Sequence, residues 1–158
     1  MPRSIGPRLR QQWQTLSRLP GGRWLFSRLL GTIVPYSGTL RANVVSLRPG
    51  FCTVTLRTRR RVRNHLDSVH AMALANLAEL ASGLALVAAL PKQTRAILTG
   101  FEITYLKKSR GLLRAEGCCE TPPANLTTDH QAFVEIRDET GDITATATAH
   151  WRVGPEQG

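Results

Sequence analysis

Glu79 is the residue of this chain best placed to do chemistry. From Val69 to Leu90 the only polar side chains are His70, Asn76, Glu79 and Ser82. A carboxylate in so long an apolar run loses hydration, so its pKa rises unless a partner compensates it. Acids are rare in buried helices without a partner or a task, and the tasks open to such a carboxylate are general base and nucleophile. The plain alternative is a glutamate at the helix edge, or one paired with a buried arginine. Two further polar residues stand at fixed intervals before it: Asn64, then His70 six residues on, with Glu79 nine residues beyond His70.

The elements around these residues must position them. The apolar run predicts a helix over 69–90, capped by Ser68 or Asp67 and ended by Pro91. Two strands precede it, roughly 39–48 and 51–60, joined by the turn Arg48-Pro49-Gly50, and a polar loop over 61–68 leads into the helix. Four strand segments follow. Ile97, Phe101, Ile103 and Tyr105 mark the first, and Leu113, Ala115, Gly117 and Cys119 share one face of the second. Ala132, Val134 and Ile136 mark the third. In the last, Ile143, Ala145, Ala147, Ala149 and Trp151 alternate with Thr144, Thr146, Thr148 and His150, a clean period of two. Turns at Ser109-Arg110-Gly111 and Thr140-Gly141-Asp142 suggest hairpins between successive strands. A long apolar helix with strands on both sides in sequence predicts an α+β fold, an antiparallel sheet wrapped around the helix. Ahead of it, residues 8–34 read as helical. Leu9, Trp13 and Leu16 form one apolar stripe, Gly21-Gly22 breaks it, and Trp24, Leu25, Phe26, Leu29, Leu30 and Ile33 form a second. The chain thus divides into a basic helical extension (1–35), one domain (36–153) and a frayed tail (154–158).

Charge is placed unevenly. Residues 1–63 carry thirteen Arg and no Lys, Asp or Glu, whereas 64–158 carry eight Lys/Arg and eleven Asp/Glu, for a net +10. Such asymmetry points to an anionic partner: a phosphorylated ligand, a membrane surface or nucleic acid. No aromatic RNA-binding strand, DNA-reading helix or glycine-rich phosphate loop is present, which argues against nucleic acid. A basic helix bearing Trp and Phe fits either packing on its own domain or contact with an anionic membrane. Three cysteines, Cys52, Cys118 and Cys119, make neither a disulfide framework nor a zinc motif, and the four histidines give no metal-ligand spacing. With no secretory signal evident, a reducing, cytoplasmic setting is expected. The helix approaches transmembrane length, but Asn76 and Glu79 near its centre argue against a span.

The order of elements and the Asn64, His70, Glu79 spacings together resemble the hotdog fold and its small acyl-CoA thioesterases of the phenylacetate-degradation type. Pro35-Tyr36 and the run Tyr105-Leu106-Lys107-Lys108-Ser109-Arg110-Gly111 are similar to a bacterial hotdog-like group of unassigned function. The resemblance implies thioester hydrolysis at a dimer interface. Glu79 would be base or nucleophile, Asn64 and His70 would orient carbonyl or water, and the Ala71 backbone N–H would hold the thioester oxygen. Met72 and Asn76 would lie along the substrate, with Lys107, Lys108 and Arg110 near the coenzyme A phosphates; Asn76, one turn before Glu79, can also steady its carboxylate. No metal or separate cofactor is implied; coenzyme A enters as part of the substrate. The thioesterases carry Gly-Gly where this chain has Ala71-Met72, so Met72 adds bulk near the pantetheine path. A non-catalytic hotdog protein that binds acyl chains or coenzyme A is the alternative. A dehydratase is a lesser one, because the His65-to-Glu79 spacing lacks the Pro-Gly of those enzymes. Nine helical residues turn through about 900° and rise roughly 13 Å, which sets His70 and Glu79 on opposite faces. A homodimer, or a dimer of dimers, would bring one helix start to the partner's glutamate.

Overall fold

The computed structural model describes residues 5–156. Residues 1–4 of the expected extension and 157–158 of the expected tail lie outside the described residues. The elements run α1 (Ile5–Leu16), α2 (Gly22–Ile33), α3 (Pro35–Gly38), β1 (Asn43–Arg48), β2 (Phe51–Arg57), a 3-10 turn (Arg60–Val62), α4 (Ala71–Ala89), β3 (Thr94–Tyr105), β4 (Leu112–Cys119), β5 (Thr128–Arg137) and β6 (Ile143–Pro155). Pro35-Tyr36-Ser37-Gly38 is one turn of helix with Pro35 at its start.

The six strands form one sheet in the order β1-β2-β4-β5-β6-β3, with every pair antiparallel. This is the hotdog architecture. Helix α4 lies on the sheet mainly over β2, β4 and β5. Its composition explains the fit. Ala78, Ala81, Ala85 and Ala88 recur at intervals of three and four, all fully buried, so the helix turns a narrow face to the strands. Beneath it Gly117 leaves room for the helix backbone: a Cβ there would come within 2.5 Å of the Ala81 carbonyl. Leu77, Val54, Leu113, Ala115, Ile136 and Ala145 close the core.

One connection differs from the sequence reading. The Ser109-Arg110-Gly111 turn does not make a hairpin, because β3 pairs only with β6 at the sheet's end and the chain crosses to β4. Alternation along a strand fixes which face is buried, not which strand lies alongside. The 140–142 turn does join neighbours, β5 and β6. The last strand also continues past Val153, with Gly154 and Pro155 paired to Arg95 and Thr94.

The two N-terminal helices pack onto this core. Leu9, Trp13 and Phe26 join the same buried cluster as α4 and the sheet, and Trp13 meets Phe26 edge-on at 5.0 Å. Arg10 donates to the Ala88 and Leu90 carbonyls at 2.6 and 3.2 Å, placing a cation on the negative end of α4. The Val44 N–H donates to Ser27 Oγ at 2.9 Å, tying α2 to β1.

Candidate functional site

The loop before α4 is organised by Asn64. Its Oδ1 accepts from the Leu66 N–H (2.9 Å), the Ser68 N–H (3.2 Å) and Ser68 Oγ (3.2 Å). Ser68 and Asp67 are therefore held in this turn and neither caps the helix, contrary to the sequence reading. The cap is His70, whose Nδ1 accepts from the Met72 N–H at 3.1 Å. Because a backbone N–H can only donate, that bond assigns the imidazole proton to Nε2. The helix consequently begins at Ala71 rather than Val69. Its start is fixed from two sides, by the His70 N–H to the Val62 carbonyl (2.8 Å) and by Tyr105 Oη donating to the Ala71 carbonyl (2.9 Å).

Glu79 lies on a different face of α4, on the wall of a cavity of about 530 Å³. Ile5, Arg8, Leu9, Gln12, Leu30 and Ile33 of the N-terminal helices line it together with Leu84 and Val87 of α4 and Trp151 of β6. Among the described residues its carboxylate has no hydrogen bond and no ion pair, and burial pushes its pKa above the ordinary 4.5. Sequence reasoning did not foresee the role of Trp151. Its indole Nε1 is buried with no hydrogen-bond partner among the described residues, and the residue lines the same cavity. The alternating pattern of β6 places Trp151 on the core face with Ala145, Ala147 and Ala149, but an unmet donor emerges only from packing.

The remaining expected residues, Arg110 excepted, divide between two clefts flanking the start of α4. A small one of about 260 Å³ brings together Asn64, Ala71, Tyr105, Lys107 and Lys108. A wider one of about 750 Å³ holds His70, Met72 and Asn76 with Arg41, Arg61 and Arg63. Met72 stands 61% exposed over this second cleft. Asn76 does not reach Glu79: its Oδ1 accepts from Ser37 Oγ at 2.9 Å, fastening α3 to α4. Lys107 is taken by Asp138 and Asp142 at 2.8 and 2.7 Å. That pairing, with a hydrogen bond from Thr140, holds Asp138 well below the usual carboxylate range. Arg110 donates to the Leu66 and Asp67 carbonyls at 2.9 and 3.1 Å. Of the expected basic turn, Lys107 alone is ion-paired among the described residues; Arg110 is held by neutral carbonyls and keeps its charge, as does Lys108.

The arginines of the wider cleft were missed as site residues, although the acid-free first 63 residues were the signal for them. Arg28 and Arg59 behind the cleft donate to the carbonyls of Ala42 and of Thr39 and Leu40. Burial, then repulsion from Arg41, lowers the pKa of both. Arg61 adds to the repulsion on Arg59. Cys119 is no ready nucleophile: burial, with Cys118 beside it, pushes its thiol to about 11. No group of three or more metal-ligating side chains occurs among the described residues. Within one chain His70 and Glu79 open into cavities with no lining residue in common.

A family model, "Domain of unknown function (DUF4442)", matches residues 22–153. Among solved structures, the chain is similar to the structural-genomics protein APC5556, at 29% identity and a TM-score of 0.81, covering 94% of this chain and 99% of that one. It is similar at 22% identity to smu.793 of Streptococcus mutans UA159, solved bound to acetyl CoA, with a TM-score of 0.64 over 74% of this chain and 91% of that one. The thioesterase HI1161 of Haemophilus influenzae shares 14% identity and a TM-score of 0.70, covering 82% of this chain and 90% of that one. At such identities the last two establish the fold alone. No curated protein matches the chain.

Proposed function

The chain belongs to the family described as Domain of unknown function (DUF4442), on a fold shared with thioesterases, and from that premise we propose that it hydrolyses an acyl or aryl thioester of coenzyme A at a dimer-interface site. The observation that carries this reading is Glu79, a desolvated carboxylate with no hydrogen-bond or ion-pair partner among the described residues, on the wall of a mostly apolar cavity that Arg8 and Gln12 also line. A cavity of this size with few polar groups suits an apolar acyl or aryl group. The acetyl CoA bound by smu.793 supports the choice of thioester.

In the proposed reaction the thioester carbonyl lies at the start of α4, its oxygen held by the Ala71 N–H and the positive end of the helix. The Nε2–H of His70 is a second donor at that end. Glu79 of the partner subunit takes a proton from water as the water oxygen attacks the carbonyl carbon. The tetrahedral intermediate then collapses, the C–S bond breaks, and the departing thiolate takes up a proton, leaving the carboxylic acid and free coenzyme A. Asn64 acts indirectly, by shaping the loop that sets His70. With Lys107 ion-paired and Arg110 held by backbone carbonyls, Arg41 and Arg61 beside His70, and Lys108 in the cleft with Ala71, are the cations suited to the coenzyme A phosphates.

A panel of acyl-CoA substrates followed by free-thiol release tests the reading. Glu79→Gln should lower turnover on the order of 10²-fold or more, as for loss of a general base, while dimerisation and coenzyme A binding persist. Wild-type turnover in Glu79→Gln would sink the mechanism. The exposure of Met72 over the cleft favours a second reading, a non-catalytic acyl-CoA-binding protein. Binding without turnover across the whole panel would establish that reading instead.

A further inference from the structure

We propose that the α1–α2 face is a docking surface for an anionic lipid bilayer, with the turn between the helices and the outer side of α2 seated among the headgroups. Helix α2 buries Phe26 and half-buries Leu30, yet Leu25, Leu29 and Ile33, at successive intervals of four, stand 41%, 48% and 69% exposed. Leu19 in the turn and Trp24 at the start of α2 are 55% and 61% exposed. The sequence reading put all the apolar residues of α2 in one stripe; the structure divides them into an inner face and an unpartnered outer one. A monomer rarely leaves so continuous an apolar surface without a use.

Charge selects the occupant. Arg18 and Arg23, both exposed, flank Leu19 and Trp24, and neither has a carboxylate within ion-pair distance among the described residues. Residues 1–63 contain no acid at all. A two-fold contact sets a patch against itself, so pairing this face with a second copy would bring arginines together with no carboxylate between them. An anionic bilayer meets both needs: phosphates for the guanidiniums, and an interface in which a tryptophan and aliphatic side chains settle at headgroup depth. The outer stripe also ends at Ile33, which with Ile5 walls the Glu79 cavity. An apolar acyl group would thus have a short path between bilayer and cavity. That last consequence rests on the proposed hydrolysis; the docking itself does not.

The full chain carries its own reporter. Trp13 and Trp151 are 8% and 7% exposed, so Trp24 alone changes surroundings on docking. Vesicles of equal parts phosphatidylglycerol and phosphatidylcholine should co-sediment the protein and shift its tryptophan emission to the blue; pure phosphatidylcholine vesicles should bind far less. Each of Arg18→Gln and Arg23→Gln should weaken partitioning about fivefold, and about 0.5 M salt should weaken it further. Leu25→Ser/Leu29→Ser should abolish the emission shift with the circular dichroism unchanged, since both side chains are exposed. Three results would overturn the proposal: no co-sedimentation with the anionic vesicles, binding indifferent to these substitutions, or a blue shift that grows with protein concentration in the absence of lipid. The last would make a second copy the occupant. Thioesterase assays on soluble substrates are untouched by any of these outcomes, so the two proposals fail separately.

Discussion

At the scale of single residues, Glu79 and His70 each have a structural consequence that is separable from their chemistry. Burial raises the pKa of Glu79 in the folded state above its ordinary 4.5. The folded protein therefore binds that proton more tightly than the unfolded chain does, and the linked stability is fullest below pH 4.5 and is lost as pH rises through the raised value. Glu79→Gln removes an ionisation that opposes folding, so its thermal midpoint should equal or exceed that of wild type at neutral pH, with the gap closing in acid. A variant less stable at pH 7 would show that the carboxylate has a partner in solution. Wild-type turnover should rise as pH increases through the same ionisation, because only the carboxylate can accept a proton. His70 is the helix cap as well as a candidate donor. His70→Ala should cost about 1 kcal/mol of stability, or roughly 2–4 °C in thermal midpoint. His70→Asn should restore the cap. Turnover that stays low in His70→Asn after stability returns would assign the imidazole a chemical part; full recovery would leave it a cap.

At the scale of elements, β3 is the one to test. It is twelve residues long, and its outer edge pairs with no strand among the described residues. A long bare edge is normally shielded or paired, and the proposed site needs a partner to bring His70 to Glu79. We expect a dimer by light scattering, joined along β3. Phe101 and Glu102 are adjacent, so one has its N–H toward β6 and the other has it outward. Proline at the outward position should dissolve the dimer and leave a folded monomer, because it removes no bond within the sheet. Proline at the inward one should damage the fold itself. Light scattering and circular dichroism on the pair separate the two; a wild-type monomer would remove the interface site.

At the scale of the whole molecule, the charge asymmetry matters more than the total. The net +10 arises from the first 63 residues, and the folded chain brings Arg41 and Arg61 to the cleft beside His70. Coenzyme A affinity should fall as salt is raised, and Arg41→Ala/Arg61→Ala should weaken it on the order of 10²-fold or more, with phosphate hydrogen bonds to charged groups contributing roughly 1.5–3 kcal/mol each. Lys107→Ala should act chiefly by freeing Asp138 and Asp142 from their common partner. Calorimetric titration on both variants would decide which basic group meets the phosphates. Equal affinity in the double arginine variant would remove the wide cleft from the proposed site.

Much of the fold was legible in the order of residues. Alternation in Ile143–Trp151 and the small-residue spacing of α4 are local periodicities, and local periodicity decides which face is buried. The Asn64, His70 and Glu79 intervals, through the resemblance they carry, nominated residues for the proposed site. What periodicity does not contain is adjacency. That β3 lies beside β6 rather than β4, that Asn76 answers Ser37 instead of Glu79, and that Lys107 is held by Asp138 and Asp142 all depend on residues distant in sequence meeting in space. The hydrogen-bonding capacity of an amide or an ammonium group goes to whichever partner packing delivers. Sequence set which residues were available for chemistry. Tertiary structure decided which of them were already engaged, and left Glu79, Trp151 Nε1 and the exposed stripe of α2 without a partner among the described residues.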